Sequence, residues 1–467
     1  MVKAKEMIPV RVLVLNGSPK GENSITLQTV RYLERRFSDC TFDVLHVGQR
    51  IRSIEKDFSA AEDALNRADL LLFCYPVYTF LVPSQLHRFI ELIFEHGVDL
   101  KGKYATQITT SLHFYDVTAH RFVQENCDDL GLRYLTGLSA DMEDLLKAQG
   151  RSDAEAFFRH ALWAMAHGFS EPRAARPAVP FAPAPFAGEI APVEKDPAKR
   201  IVIVANRTNA NGALNAMIDR FCAQLPFAAE VFDLGAFPFA GGCLGCFHCA
   251  ADGTCIYRDN FDAELRTHIQ SAQAIVYAFS IRNHSMGYRM KLFDDRQFCN
   301  GHRTVTMGKP VGYLVDGPLS EEPNLKMLIE ARADVGGNCL AGIASNEQAP
   351  DERIAQLCAQ LGYAVAHAYL PPRTFYGVGG MKVFRDLIYQ MRGLMREDHR
   401  FYKAHGFYDF PQKRKGRIAG MYLVGAMMRN KKLQKKIGGK MTEGMLMPYK
   451  KVLENAGEEP ERKEDRA

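Results

Sequence analysis

Residues 11–167 alternate between short apolar runs and longer segments whose apolar positions recur every three or four residues. Runs at 11–15, 42–47, 70–75, 104–109 and 132–138 read as strands, and amphipathic stretches at 24–37, 60–67, 83–94, 117–130 and 154–167 read as helices. This order predicts βαβ units on a parallel sheet with both faces buried. The same order restarts at Ile201, with strands at 201–205, 231–234, 274–279, 310–315 and 339–343 and helices at 213–224, 261–269, 285–298, 324–335 and 351–367. A period of roughly 190 residues is too long for a solenoid. The chain therefore reads as a duplicated α/β domain, two copies imitating a homodimer.

Residues 170–199, between the copies, hold seven prolines and few long aliphatics, the composition of a stiff linker. Beyond 371 the chain turns rich in Tyr, Phe, Arg and Met, with a helix expected around 381–397. The aromatic stretches 398–403 and 407–410 are expected to pack on a domain. The expected divisions are 1–169, 170–199, 200–370 and 371–467. Residues 1–400 carry 43 Lys/Arg against 46 Asp/Glu, whereas 401–467 carry 16 against 8, so the basic character belongs to the tail. Segment 413–440 alone has ten Lys/Arg and no acid, and its apolar run of about eleven residues is too short to span a bilayer. Without a signal-like N-terminal run, a cytoplasmic location is the default expectation. Eleven cysteines, an odd number, do not read as a secreted disulfide scaffold.

Two segments carry chemistry. The first strand runs into Asn16-Gly17-Ser18-Pro19-Lys20-Gly21-Glu22-Asn23-Ser24-Ile25-Thr26, which opens a helix. In a doubly wound sheet such a loop lies at the carboxyl edge, where ligands bind, and the helix N-terminus presents free N–H groups to a phosphate. Ser18, Asn23, Ser24 and Thr26 add hydroxyl and amide donors; the alternative is a turn capped by Asn23 or Ser24. No GxGxxG and no GxxxxGK[ST] is present, which argues against a dinucleotide fingerprint and an ATPase. The third strand leads to Pro76-Val77-Tyr78, and Thr109, Thr110 and Ser111 follow the fourth, so an aromatic and a hydroxyl wall share that sheet edge with the loop.

The second segment is Cys243-x2-Cys246-x2-Cys249-x5-Cys255, with Gly241, Gly242, Gly245 and Gly253 supplying tight turns. Four thiolates within thirteen residues can converge on a [4Fe–4S] cube. Structural zinc and a thiol/disulfide group stand beside that reading.

Residues 11–115 resemble the flavodoxin-like NAD(P)H-dependent FMN reductases: Gly17, Ser18 and Pro19 match the family's G-S-P, with Lys20 for its Arg. Ser24 and Thr26 match the ends of S-N-T, Ile25 replacing the Asn; Pro76 and Tyr78 match P-x-Y; Pro83, Ser84 and Phe89 match the next helix. The element order and the tail's composition predict two tandem flavodoxin-like doubly wound domains with a helical basic C-terminal tail, and the resemblance implies noncovalent FMN held by Gly17, Ser18, Pro19, Lys20, Ser24, Thr26, Pro76, Val77, Tyr78, Thr110 and Ser111. The cysteine loop resembles that of the iron–sulfur flavoproteins, whose later K-x-F-x-D-R pattern is kept as Lys291, Phe293, Asp295 and Arg296, after Asp259-Asn260. In the second unit Ser280 and Arg282 replace the proline and tyrosine, and 206–212 lacks G-S-P. Those proteins are similar in placing the cluster of one subunit near the flavin of another.

The expected function is a flavin-dependent oxidoreductase passing electrons between NAD(P)H or ferredoxin, a cluster at Cys243, Cys246, Cys249 and Cys255, FMN and a small-molecule acceptor. Tyr78, beside the expected substrate face, and His113 are the candidate catalytic residues, and His113 and Tyr115 are candidate proton donors. A second FMN in the second unit and a homo-oligomer stay open. The alternative class is an electron carrier or redox sensor with the same cofactors. The basic segment is expected to be solvated or to dock an acidic redox partner, in preference to lipid contact; no motif supports nucleic-acid binding.

Overall fold

The computed structural model describes residues 10–173, 180–188, 190, 193–207, 212–250 and 253–428. Part of the expected second turn at 206–212, part of the linker and the basic stretch beyond 428 lie outside these residues.

The first unit runs β1 (Arg11–Asn16), α1 (Ile25–Arg36), β2 (Thr41–Leu45), α2 (Val47–Lys56), α3 (Ser59–Arg67), β3 (Leu70–Pro76), α4 (Ser84–Glu95), β4 (Tyr104–Ser111), α5 (Asp116–Asp129), β5 (Arg133–Tyr134), β6 (Leu138–Asp141) and α6 (Ala148–His167). Its parallel sheet has the order β2-β1-β3-β4-β5, with β6 also on β4. Val12–Leu15 and Leu70–Tyr75 are at most 3% exposed, as strands sandwiched between helical layers require. Each such side chain contributes about 1.5–3 kcal/mol of burial.

Two expectations are corrected here. The segment 47–56 is a helix that the apolar pattern did not disclose; α2 buries only Val47, Gly48 and Ile54. The fifth strand is two short pieces, because Thr136 and Gly137 interrupt it.

The second unit repeats the plan with β7 (Asp196–Ala205), α7 (Gly212–Gln224), β8 (Phe227–Asp233), α8 (Phe261–Glu264), β9 (Ala274–Ser280), α9 (Gly287–Arg296), β10 (Pro310–Asp316), α10 (Pro323–Gly336), β11 (Cys339–Ser345) and α11 (Pro350–His367). Its sheet order, β11-β10-β9-β7-β8, is that of the first unit read from the opposite edge. The helix after the cysteine loop lasts four residues as α and continues as a π turn over Leu265–Ile269.

The duplication reaches single hydrogen bonds. After β3, Tyr78 and Leu81 exchange backbone bonds of 2.8 and 3.0 Å across Thr79 and Phe80, both at positive φ; after β9, Arg282 and Ser285 do the same at 2.9 and 3.0 Å across Asn283 and His284, also at positive φ. These are two-residue turns of the type that reverses a chain most tightly. The helices that follow, α4 and α9, pack together. Each caps the other's start: Asp295 Oδ2 accepts the Ser84 N–H and Glu91 Oε1 accepts the Tyr288 N–H, both at 2.7 Å. A carboxylate at a helix N-terminus satisfies an orphan donor and meets the positive dipole end.

In place of one helix over 381–397 stand α12 (Phe375–Gln390) and α13 (Arg396–Ala404). Tyr402 is fully buried and its hydroxyl donates to the His302 carbonyl at 3.0 Å. By internal contacts the chain forms one compact unit to His405 and another from Gly406. In the latter, α14 (Lys415–Met428) exposes Met421, Tyr422 and Leu423. Among the described residues no helix is long and apolar enough to cross a membrane.

Candidate functional site

The loop after β1 is built tightly. Gly17 N–H donates to Cys74 O at 2.8 Å, and Ser18 N–H donates to Asn16 Oδ1 at 3.2 Å. Gly48 of α2 lies so close that a Cβ there would meet Gly17 O at 2.4 Å, which explains a glycine in an unexpected helix. Ser24 is the N-cap of α1, its hydroxyl accepting from Leu27 N–H at 3.4 Å. The Thr26 and Thr110 hydroxyls lie 2.6 Å apart, joining the loop to the end of β4. Ser18, Ser24, Thr26 and Thr110 are all at most 5% exposed, whereas Ile25 is 47% exposed and takes no part. Buried hydroxyls at a helix N-terminus, whose first N–H groups have no intrahelical partner, form a donor set of the kind a phosphate takes. Thr109, Thr110 and Ser111 are the last residues of β4 itself.

On the ring side, Pro76 ends β3, Val77 N–H donates to Thr110 O at 3.3 Å, and Tyr78 is half-buried in the turn. Burial, with Cys243, Asp295 and Cys246 as its next neighbours in effect, pushes the Tyr78 phenol far up, so it stays neutral. His113 is exposed at positive φ, with Nδ1 3.0 Å from Asp116 Oδ2 and 3.1 Å from Ser139 Oγ. The Tyr115 hydroxyl donates to Tyr376 O of α12 at 2.7 Å, and Phe114 stacks on Phe384 at 4.2 Å. Helix α12 thus covers the 113–115 loop, a role that the aromatic richness of the tail hinted at without giving its address.

The cysteine loop of the second unit lies on this edge of the first. Gln85 Nε2 donates to Cys243 O at 3.2 Å; a Cβ on Gly242 would meet Ser84 Oγ at 2.5 Å, and one on Gly245 would meet Tyr78 Oη at 2.2 Å. The Lys20 ammonium sits 5.3 Å from the Phe247 ring centre, and Tyr78 meets Phe298 edge to face. Gly245, at φ +59 and with no room for a side chain, is the position where a glycine is required.

The K-x-F-x-D-R helix holds this arrangement. Lys291, fully buried, pairs with Asp295 and donates from Nζ to Tyr78 O at 2.7 Å. Arg296 donates to both Asp259 oxygens at 2.7 Å and to Gly241 O at 3.0 Å, under Tyr257. Asp259 in turn accepts from Ala240 N–H at 2.8 Å, so one buried ion pair fixes both ends of the loop's entry. The sequence pattern flagged these residues; that Lys291 and Asp295 bridge the units is a structural finding.

Burial pushes the Cys243 thiol up to about 12 and the Cys249 thiol up to about 11. Such thiols shed their protons to a bound cation. Gly245 N–H donates to Cys243 Sγ at 3.4 Å, and Cys249 Sγ donates to Phe298 O at 3.3 Å. No three of the four sulfurs lie within 4.8 Å of one another. A cleft of about 470 Å3 opens beside the loop, lined in part by His248, Cys255, Tyr257 and Arg258.

The fold is that of two similar flavodoxin-like units, each built on a parallel sheet, and the first of them is similar to FMN-binding oxidoreductases. Residues 10–120 match the family described as NADPH-dependent FMN reductase. An iron-sulfur flavoprotein of Archaeoglobus fulgidus is 26% identical over 176 residues, 35% of this chain and 79% of that protein. Among solved structures, an NAD(P)H:quinone oxidoreductase from Methanothermobacter marburgensis is 15% identical over 34% of this chain and 96% of its own, with a TM-score of 0.27. An FMN-dependent NADH-azoreductase from Bacillus anthracis, solved with FMN, is 13% identical over 34% and 99%, with a TM-score of 0.27.

Proposed function

We propose that the first unit holds FMN and the second a [4Fe–4S] cluster, and that the chain passes electrons between them as an oxidoreductase drawing on NAD(P)H or a ferredoxin. The observation that carries this reading is the seating of Gly242–Gly245 on Tyr78, Ser84 and Gln85, the ring-side residues of the other unit. Ser18, Ser24 and Thr26 would hold the phosphate, with Gly17 and Pro19 shaping the loop; Pro76, Val77, Tyr78, Thr110 and Ser111 would line the ring; Cys243, Cys246, Cys249 and Cys255 would hold the cluster. Bound there, the flavin supplies two-electron chemistry and the cluster one-electron chemistry.

The chain's own residues position and exclude. Lys291 fixes the backbone at Tyr78, and the neutral phenol keeps charge away from the ring edge. Arg296 and Asp259 hold the cysteine loop against it. His113, exposed and oriented by Asp116, is the side chain suited to deliver a proton to an acceptor; Tyr115 is committed to Tyr376. The acceptor is a small molecule approaching that loop, and an acidic redox protein would suit the basic tail.

Flavin, iron and sulfide content of anaerobically prepared protein tests this. One FMN, four irons and four sulfides per chain is the expected result. Protein without iron would overturn the cluster, and two FMN per chain would overturn the division between units. Turnover with NAD(P)H and a quinone separates an enzyme from an electron carrier or redox sensor, which would accept electrons without steady turnover.

A further inference from the structure

At the seam between the units, away from the cysteine loop, buried polar atoms outnumber their partners. Glu125 and Asp129 stand on α5 of the first unit, His284 in the turn after β9 of the second, and Glu322 at the N-cap of α10. One ligand atom from each of Glu125, His284 and Glu322 lies within 4.8 Å of the other two, the only such trio among the described residues. Glu125 and Glu322 are each 8% exposed. Glu125 Oε1 accepts from Arg121 Nε at 3.0 Å, but its Oε2 is buried with no hydrogen-bond partner. His284 Nδ1 lies 3.0 Å from both Glu322 oxygens, and its Nε2 makes an ion-pair contact of 3.2 Å with Asp129 Oδ2. Asn126, Ser285 and Asn324, one or two residues along the same elements, also bury a side-chain oxygen without a partner, while both amide nitrogens are engaged with backbone carbonyls.

Two buried carboxylates thus face one guanidinium and one imidazole, and one carboxylate oxygen of Glu125 is left without a partner. Leaving acceptors unpaired there is costly, and a buried charge needs an opposite charge with good geometry. A divalent cation supplies both. The donors are carboxylate oxygen and imidazole nitrogen without sulfur, a set that suits manganese, zinc or ferrous iron and differs in kind from the cysteine loop. A histidine with one ring nitrogen on a carboxylate and the other directed into a carboxylate cluster is also the usual arrangement around a metal.

We propose that Glu125, His284 and Glu322 form a divalent-cation site that clamps the two units together, with ordered water completing the shell and Asp129 orienting the imidazole from its Nε2 side. Neither unit alone holds enough ligands, so the site exists only when they pair. It would fix the Arg282–Ser285 turn, the counterpart of the turn that carries Tyr78. The proposal is independent of the flavin and cluster assignments.

Manganese tests it, because Mn2+ favours oxygen and nitrogen over thiolate. The probe is Mn2+ alone, titrated by electron paramagnetic resonance into the full chain with Cys243, Cys246, Cys249 and Cys255 changed to Ser. One Mn2+ per chain and a metal-dependent rise in Tm are expected. Glu125→Gln and Glu322→Gln should each weaken binding roughly 100-fold while leaving the Tm measured in EDTA no lower than the parent's. No saturable binding at millimolar Mn2+, or binding untouched by both substitutions, overturns the site. A second measurement covers the case in which the serine chain does not fold. Co2+ added to the cluster-loaded, unsubstituted protein should give ligand-field absorption without a sulfur-to-cobalt band; a sulfur band alone would overturn the proposal.

Discussion

The two units share strand order, turn geometry and helix capping, yet they differ where chemistry is done. In the first, the loop after β1 is short and lined by Ser18, Ser24 and Thr26; in the second, the stretch between β8 and α8 expands into the cysteine loop. What stays symmetric is the contact surface: Asp295 caps the Ser84 end of α4 as Glu91 caps the Tyr288 end of α9. The difference teaches how a duplicated fold specialises. Loops at the sheet edge can change without cost to the core, whereas an interface that buries carboxylates against helix ends must keep both halves of each pair.

The symmetry and its breaking can be tested from the largest effect downward. Cys243→Ser with Cys246→Ser should remove iron completely while FMN per chain is unchanged; loss of both cofactors together would abolish the proposed division. Among the interface carboxylates, Asp295→Ala leaves Lys291 buried without its partner and should cost about 3–5 kcal/mol in urea denaturation. Its mate Glu91→Ala should cost less, about 1–3 kcal/mol, because Glu91 meets His87 and Arg88 only at 3.4 Å. Equal losses would deny that the Lys291–Asp295 ion pair adds to the cap that Asp295 shares with Glu91.

Burial depresses His120 to about 4, the Asp116 carboxylate opposing it only in part. Its folded value lies below the unfolded one near 6.5, so the unfolded chain binds the proton first. Stability is full above pH 6.5 and falls as pH drops from about 6.5 towards 4, by up to roughly 3 kcal/mol. His120→Asn should flatten the Tm-against-pH curve over that window, and an unchanged slope would assign the acid sensitivity elsewhere. The smallest effect is expected of Ser24→Ala, which removes the cap of α1 for about 1 kcal/mol and should weaken FMN binding by roughly tenfold, read by flavin fluorescence. Unchanged FMN affinity would remove the phosphate from this loop.

Much of the fold was legible because parallel strands buried on both faces leave continuous apolar runs such as Leu70–Tyr75. Helix α2 was not, because its apolar positions are few and Gly48 looks like a breaker until its contact with Gly17 and Ser18 is known. The tail was misdivided for a similar reason: α12 contains Gly377, Gly379 and Gly380, poor helix formers in isolation, and tertiary packing overrides that propensity. The loop residues 17–26 and the cysteine spacing were visible as motifs. Their juxtaposition was not, since contacts such as Gln85 with Cys243 join residues far apart in the chain and leave no local pattern. The same holds for Glu125, His284 and Glu322, which are unremarkable singly and meet only through pairing of the units.

The central claim is that a cluster in the second unit exchanges electrons with a flavin in the first. Anaerobic stopped-flow reduction of the fully loaded chain, following flavin and cluster absorbance together, tests it most directly. Cluster bleaching that follows flavin reduction within a single turnover is the predicted result, with the rate independent of protein concentration. A cluster that keeps its oxidised spectrum while the flavin is reduced and reoxidised would contradict the account.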